Sequence, residues 1–325
     1  MRPSPTLILR VSLTLLIAAM LGGLAANLQI SRQPVIAADI PVRAANSPLR
    51  FLIVSPAQDH PFWTEVHRGA SAAAAARNVT VELQGARRAS VEEQVQLIDM
   101  AAAAQVDGII TQGAADPALA EVVAKAADRG IPVITVETDM PAPDRRLAYV
   151  GSDNYQAGRL AAEELILRTG GRAVVGVVRG HLGSEADDLR LQGFRDALAV
   201  APEVQIVAVM PSQLNRSAAG QRALQILQEH PEVTALYATT EVDSIGVAQA
   251  VESFDSRQVL VVGWRTEQGW DRASLSGVIR VSMVEDPQAM GRTAVEVLEA
   301  YLRRDVRPDR EVFIPVTVKS GGGRR

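Results

Sequence analysis

Residues 108–136 read GIITQGAADPALAEVVAKAADRGIPVITV. Two short β-branched runs, Gly108–Thr111 and Val133–Val136, enclose an amphipathic stretch of helical period. Asp116-Pro117 sets a capping side chain before a proline at the first helical position, where the missing N–H costs nothing. Gly130 ends the helix, and Ile131-Pro132 leads into the next strand. The segment is a strand–helix–strand unit, the element from which parallel sheets are built.

The same unit recurs in both directions along the chain. Strand-like runs fall at Leu49–Val54, Val79–Leu83, Gly108–Thr111, Val133–Val136, Tyr149–Gly151, Ala173–Val178, Val204–Val209, Ala235–Ala238, Val259–Gly263, Ile279–Met283 and Val312–Val318. Continuous apolar runs such as Val174-Val175-Gly176-Val177-Val178 suit strands buried on both faces. Ser90-Val91-Glu92-Glu93 is a capping box at the start of one intervening helix. So many strands exceed one comfortable sheet, which predicts an α/β chain of two doubly wound parallel-sheet lobes.

Composition bounds the class. The chain has 325 residues, no cysteine, 47% apolar residues, only 4% aromatics and a net charge of -4. That apolar content excludes a disordered chain. The absence of cysteine excludes a disulfide scaffold, a cysteine-rich zinc site and a cysteine-linked lipid anchor. A mildly acidic, charge-mixed chain lacks the clustered Lys and Arg of a duplex DNA binder.

Val11 to Ile30 carries no charge, and 20 residues span about 30 Å as a helix. Arg2 and Arg10 precede this run, and no acid appears before Asp39, which predicts a cytoplasmic N-terminus and an exported body. Two processing readings stay open. One is an uncleaved anchor; the other is a signal cleaved after Leu24-Ala25-Ala26 or Val35-Ile36-Ala37. Cleavage near Ala37 removes Arg2, Arg10 and Arg32 and leaves the body at -7. The expected division is a leader over 1–30, a linker over 31–48, a first lobe from 49–151 plus 286–312, a second from 152–285 plus 313–320, and a disordered tail over 321–325.

In open parallel sheets, ligands sit beyond the carboxyl ends of the strands. After the first strand comes Ser55-Pro56-Ala57-Gln58-Asp59-His60-Pro61-Phe62-Trp63. Pro61 can start a helix whose first turn presents Phe62 and Trp63, flat faces suited to the C–H faces of a sugar; the competing reading is that both rings fill the core. Later strand ends carry Glu137-Thr138-Asp139, Ser152-Asp153-Asn154, Ser184 to Asp188, Thr239-Thr240-Glu241, Trp264-Arg265 and Glu285-Asp286. Such groups fix hydroxyls by hydrogen bonds, although each alone also serves as a helix cap or a solvated loop.

In order and spacing these stretches resemble the periplasmic sugar-binding proteins of ABC transporters, the type I class that includes the ribose-binding proteins. The resemblance rests on His60-Pro61-Phe62-Trp63, Gly108-Ile109-Ile110, Gly130 to Thr135, Val150-Gly151-Ser152-Asp153-Asn154 with Gly158, Arg190-Leu191-Gln192-Gly193-Phe194, His230-Pro231-Glu232-Val233, Val261-Val262-Gly263-Trp264, and Asp286-Pro287 with Gly291. It covers Leu49 to about Val318 and implies two lobes joined by three crossovers, near Ser152, Asp286 and Phe313, closing on a sugar. Carried over by position, it implies that Ser55, His60, Phe62, Trp63, Glu137 and Thr138 form one side of the site. Asp188, Leu214, Thr240, Arg265 and Glu285 form the other side and the hinge, with Asp139 and Glu241 nearby. The chain departs from ribose binders, where an arginine stands at Asp188, an aspartate at Arg265, an asparagine at Thr240 and a glutamine at Glu285. The expected pocket therefore sets Glu137, Asp188 and Glu285 against one Arg265, which favours a hydroxyl-rich or cationic ligand such as an amino sugar over an anion.

The implied action is ligand capture by lobe closure, with the closed form read by an ABC permease. The rival is an anchored sensor that signals to a membrane kinase. No cofactor is implied. No G-x-S-x-G, H-E-x-x-H, Walker A or G-x-G-x-x-G pattern supports an enzyme. His60, His67, His181 and His230 are scattered and suggest no metal site. A transcription regulator shares such a body but needs an N-terminal DNA-binding module, and the apolar segment occupies that place.

Overall fold

The computed structural model describes residues 48–320 except 88–89, 142, 182–183, 255–257 and 268–276. The expected leader, linker and tail lie outside the described residues, apart from Pro48. No helix among the described residues is long and apolar enough to cross a membrane.

The first half alternates β1 (Leu49–Ser55), α1 (Pro61–Ala75), β2 (Val79–Gly85), α2 (Val91–Ala103), β3 (Gly108–Thr111), α3 (Pro117–Asp128), β4 (Val133–Val136) and β5 (Ala148–Gly151). The second half repeats the scheme. It runs α4 (Asn154–Thr169), β6 (Ala173–Arg179), α5 (Glu185–Leu198), β7 (Val204–Pro211), α6 (Arg216–Glu229), β8 (Ala235–Ala238), α7 (Glu241–Ser253), β9 (Leu260–Thr266) and β10 (Ile279–Glu285). Helix α8 (Pro287–Arg304) and strands β11 (Glu311–Phe313) and β12 (Thr317–Ser320) close the chain.

Two six-stranded sheets result, in the orders β11-β5-β4-β3-β1-β2 and β12-β10-β9-β8-β6-β7. All pairings in the first sheet are parallel. The second is parallel except for β12, which runs antiparallel to β10. Each sheet has helices on both faces. In the first lobe α1 and α8 cover one face and α2 and α3 the other. In the second, α4 and α5 face one side and α6 and α7 the other. Strands covered twice bury nearly every side chain, so β3, β4, β5 and β8 are buried throughout. Each fully buried Ile, such as Ile53, Ile110 or Ile134, contributes roughly 1.5–3 kcal/mol.

Local chemistry sets the helix ends. Asp116 accepts from the backbone N–H of Ala118 and Leu119 at 2.8 and 3.2 Å, with Pro117 at the first turn of α3. Ser90 accepts from Glu93 N at 3.3 Å, while the Glu93 carboxylate accepts from Arg87 N at 2.7 Å. Glycines let helices meet backbone to backbone. A Cβ on Gly158 of α4 would lie 2.1 Å from the Arg190 carbonyl of α5, and one on Gly193 of α5 would lie 2.0 Å from the Tyr155 carbonyl of α4.

The expected strand Val312–Val318 is two strands in different sheets, with Ile314, Pro315 and Val316 passing between them. Pro315 offers no N–H to a ladder, so the run divides there. This is the third passage between the sheets. The others follow β5, at Ser152, and β10, at Asp286. Strands β9 and β10 also run further than expected, so Trp264 and Arg265 lie within β9 and Glu285 is the last residue of β10.

Candidate functional site

The carboxyl ends of β4, β5, β8, β9 and β10 meet where the chain passes between sheets. Glu137 follows β4 with a φ of 70°, a left-handed conformation uncommon for a residue with a side chain. Two residues after the end of β4, Thr138 contributes its hydroxyl, which accepts from Gln112 Nε2 at 3.4 Å. On β5, Tyr149 is buried, and its hydroxyl lies 3.0 Å from the Glu137 carbonyl and 3.1 Å from the Ser152 carbonyl. Ser152 Oγ in turn donates to Glu285 Oε1 at 2.9 Å, linking the first and second passages.

Arg190, one turn into α5, is the hub. Its Nη2 donates to Glu285 Oε1 at 2.7 Å, its Nε to Asn154 Oδ1 at 2.7 Å and its Nη1 to the Thr239 carbonyl at 3.0 Å. Its planar fork lies over the Trp264 ring, with Cζ 3.6 Å from the centroid. Trp264 Nε1 donates to Tyr237 Oη at 3.2 Å, and Tyr237 stacks on Phe194 at 4.2 Å. Arg190 thus supplies the counter-charge of Glu285, and Ser152 and Arg190 both donate to the same oxygen, Oε1.

Glu137 has no such partner. Its carboxyl makes no hydrogen bond among the described residues, and the residue as a whole is half-buried. Burial, then the negative charges of Glu285 and Glu241, push its pKa up to about 8 against the pull of Arg190. Glu241, the first residue of α7, is pushed up to about 7 mainly by burial, with Thr266 N–H and Arg265 opposing. Arg265 donates to the Thr266 carbonyl at 3.3 Å. Glu137, Glu241, Glu285, Arg190 and Arg265 therefore form one electrostatic cluster at the junction of the two sheets.

The expected charge count needs correction. Arg265 is not the sole cation set against these acids. Besides Arg190 on Glu285, the buried Arg146 holds Asp139 through both carboxylate oxygens, and Thr135 Oγ1 donates to Asp139 at 2.7 Å. Arg179 holds the exposed Asp188 at 2.6 Å and lies 3.7 Å from buried Asp187. Asp139 and Asp188 are thus engaged by protein cations. Thr240 is an N-cap: its Oγ1 accepts from Asp243 N at 3.1 Å and donates to Asp243 Oδ2 at 2.7 Å.

The aromatic expectation also changes. Phe62 and Trp63 are 5% and 1% exposed, pack into the first-lobe core and meet edge-on at 5.9 Å. Neither offers a free face, so the core reading holds for the rings as they stand. The Trp63 Nε1–H, however, is buried with no hydrogen-bond partner. Trp264 likewise lies in the second-lobe core beneath Arg190. Ser55 is buried at the end of β1 and donates to the Ala57 carbonyl at 2.9 Å. His60 is exposed at the start of α1, and Leu214 is 52% exposed with a φ of 55°.

Sequence reasoning missed Arg190 and Tyr149 as members of the site, although Arg190 lies in a quoted stretch; Asn154 is among the strand-end groups named from the sequence. Glu185, within the strand-end stretch Ser184 to Asp188 named from the sequence, has its Oε2 buried without a hydrogen bond. Burial, then Asp139 and Glu311, raise the pKa of Glu185, and Arg146 opposes them. A second-lobe helix start thus lies within electrostatic reach of first-lobe charges.

Two doubly wound sheets with three passages and polar strand ends between them match the architecture that the resemblance implies. Residues 51–305 match the model of the periplasmic binding protein domain. The chain belongs to this family. Among relatives, this periplasmic binding protein is 23% identical over 257 residues to the D-allose-binding periplasmic protein of Escherichia coli, covering 76% of this chain and 83% of the relative. It is 25% identical over 307 residues to the ribose import binding protein of Haemophilus influenzae, covering 94% and 98%. Of solved structures, it is similar to a glucose-galactose binding protein from Geobacillus stearothermophilus, with a TM-score of 0.77 and 35% identity over 85% of this chain and 98% of that one. These relatives are binding proteins, and the periplasmic binding protein described here is not an enzyme. The family description agrees with an exported body.

Proposed function

We propose that the protein captures a monosaccharide, or a related polyol or amino sugar, by lobe closure and delivers it to an ABC import permease. The observation that carries this reading is the unpartnered Glu137 carboxyl beside Glu241, Glu285 and Arg265 at the junction of the two sheets. A carboxyl with a pKa near neutrality both donates and accepts, a carboxylate accepts, and a guanidinium donates. Set around one cleft, these groups match the paired donor and acceptor character of sugar hydroxyls. Relatives named for ribose, D-allose and glucose-galactose support the ligand class, and the word import in the ribose relative's name supports delivery.

Ser55, His60, Thr138, Glu137, Glu241, Arg265 and Glu285 are the proposed contacts, with the Trp63 indole N–H as a further donor. A ligand that reaches both lobes only when they close shifts the equilibrium toward closure by its differential affinity. Isothermal calorimetry with D-ribose, D-allose, D-galactose, D-glucose, L-arabinose and D-glucosamine tests the reading. Saturable heat and a raised melting temperature with at least one of them are expected. Silence from all six, with binding of an amino acid or dipeptide, overturns it.

A further inference from the structure

A phenol carries one proton, yet the Tyr149 hydroxyl lies within hydrogen-bond distance of two carbonyl oxygens, Glu137 at 3.0 Å and Ser152 at 3.1 Å. A third neighbour, Asn154 Nδ2, donates to it at 3.4 Å. At any instant one carbonyl receives the proton and the other faces an oxygen lone pair. Burial, then the nearby Glu285 charge, push the phenol pKa far above its ordinary value, so the proton does not leave. A shift of either peptide therefore decides which carbonyl the proton serves.

Those peptides are placed to make that movement matter. The Glu137 peptide is the left-handed turn that carries the unpartnered carboxyl. Ser152 is the first passage between the sheets, and its side chain is bonded to Glu285 at the second. Phe313, at the end of β11 before the third passage, packs edge-on against the Tyr149 ring at 6.4 Å. Tyr149 N also donates to the Arg310 carbonyl at 2.9 Å, and Ile314 N to the Gly151 carbonyl at 2.8 Å. The hydroxyl's seat depends on a missing side chain, since a Cβ on Gly151 would lie 2.2 Å from Tyr149 Oη. One side chain therefore touches the turn bearing Glu137 and two of the three passages, and reaches the other through Ser152.

We propose that Tyr149 is the positioning residue that couples the Glu137 turn to the hinge, its single proton exchanging between the Glu137 and Ser152 carbonyls as the lobes open and close. The link from hinge to ligand occupancy rests on the sugar-binding reading; the link from hydroxyl to hinge does not.

The test exploits the absence of native cysteine. Spin labels at Met100→Cys and Leu167→Cys, exposed positions on helices of opposite lobes, report the lobe-to-lobe distance distribution in the empty full-length chain by pulsed electron resonance. Tyr149→Phe keeps the ring and removes the shared proton, and is expected to redistribute the populations. Tyr237→Phe is the control. That buried hydroxyl accepts from Trp264 inside the second-lobe core, so its loss is expected to lower stability and leave the distribution unchanged. Should Tyr149→Phe fold poorly, Gly151→Ala expels the hydroxyl from its seat and is expected to give the same redistribution. For whichever of the six sugars binds, Tyr149→Phe is expected to weaken affinity about ten-fold, because closure then buries a carbonyl that has lost its donor. A distribution identical to the parent in both Tyr149→Phe and Gly151→Ala overturns the coupling. If no sugar binds, the resonance measurement still decides it.

Discussion

Arg190 lies flat on Trp264, its guanidinium carbon 3.6 Å from the ring centroid, and from that seat its three nitrogens reach Glu285, Asn154 and the Thr239 carbonyl. The pair it makes with Glu285 is buried on both sides. Removing one member of such a pair leaves an uncompensated charge at a cost of about 3–5 kcal/mol. Arg190→Met is expected to lower unfolding stability by that amount in urea titration. Arg190→Lys is expected to recover little, since a point charge on a flexible stem reproduces neither the three-way fork nor the ring contact. Near-parental stability of Arg190→Lys would reduce the hub to simple charge pairing.

Stability of the empty protein is expected to fall as pH rises from about 5 to about 8. Glu137 and Glu241 are raised from 4.5 to about 8 and about 7, so over this window the folded state holds protons that the unfolded state has lost. Stability then decreases with pH, the sign for acids whose folded pKa is raised. The contribution is fully present below the unfolded value of 4.5, declines as pH rises through the window, and is lost once pH passes the folded values of about 7 and about 8. Glu137→Gln removes one titrating group and is expected to flatten the slope of melting temperature against pH between 5 and 8. A slope unchanged in this variant would place the Glu137 carboxyl in a better-hydrated setting.

The fold was legible because buried parallel strands advertise themselves. Gly108–Thr111, Val133–Val136 and Ala235–Ala238 match their apolar runs end to end. The caps at Ser90 and Asp116 are local chemistry and read equally well. What failed to read was pairing over distance. Nothing near Glu285 in sequence points to Arg190, and the two meet only because β10 ends beside α5. Arg146 takes Asp139 from seven residues away, across an intervening loop and turn, a spacing that no helical or strand period announces. The Phe62-Trp63 pair misled for a different reason: a helix start at a strand end can turn its rings inward as readily as outward, and here α1 turns them into the core.

The helix-contact glycines are expected to separate stability from site geometry. Gly69→Ala in α1 would bring a Cβ within 1.9 Å of the Gln288 carbonyl of α8, far from Arg190 in the chain's packing, because α1 and α8 belong to the first lobe. Gly158→Ala would press on the Arg190 carbonyl itself at 2.1 Å. Both are expected to cost about 1–3 kcal/mol by overpacking, read from chemical denaturation. Only Gly158→Ala is expected to weaken sugar affinity as well, because it displaces the backbone that carries the hub. Equal loss of affinity in the two variants would mean that α5 does not transmit its position to the site.

Asp139 gives the sharpest contrast between the carried-over role and the contacts in the structure. The resemblance sets it beside the ligand, yet its two oxygens are held by Arg146, whose side chain is 1% exposed, and by Thr135. Arg146 also donates to the Arg310 carbonyl at 2.7 Å, so this ion pair fastens the loop after β4 to the approach to β11. Asp139→Asn would leave a buried guanidinium short of its counter-charge, with an expected loss of about 3–5 kcal/mol in unfolding stability. Affinity for the bound sugar, measured by calorimetry at a temperature where the variant is fully folded, is expected to stay within about two-fold of the parent, since no contact to the ligand is removed. The converse result, intact stability with affinity lowered ten-fold or more, would return Asp139 to the ligand and leave the Arg146 pair as an incidental contact.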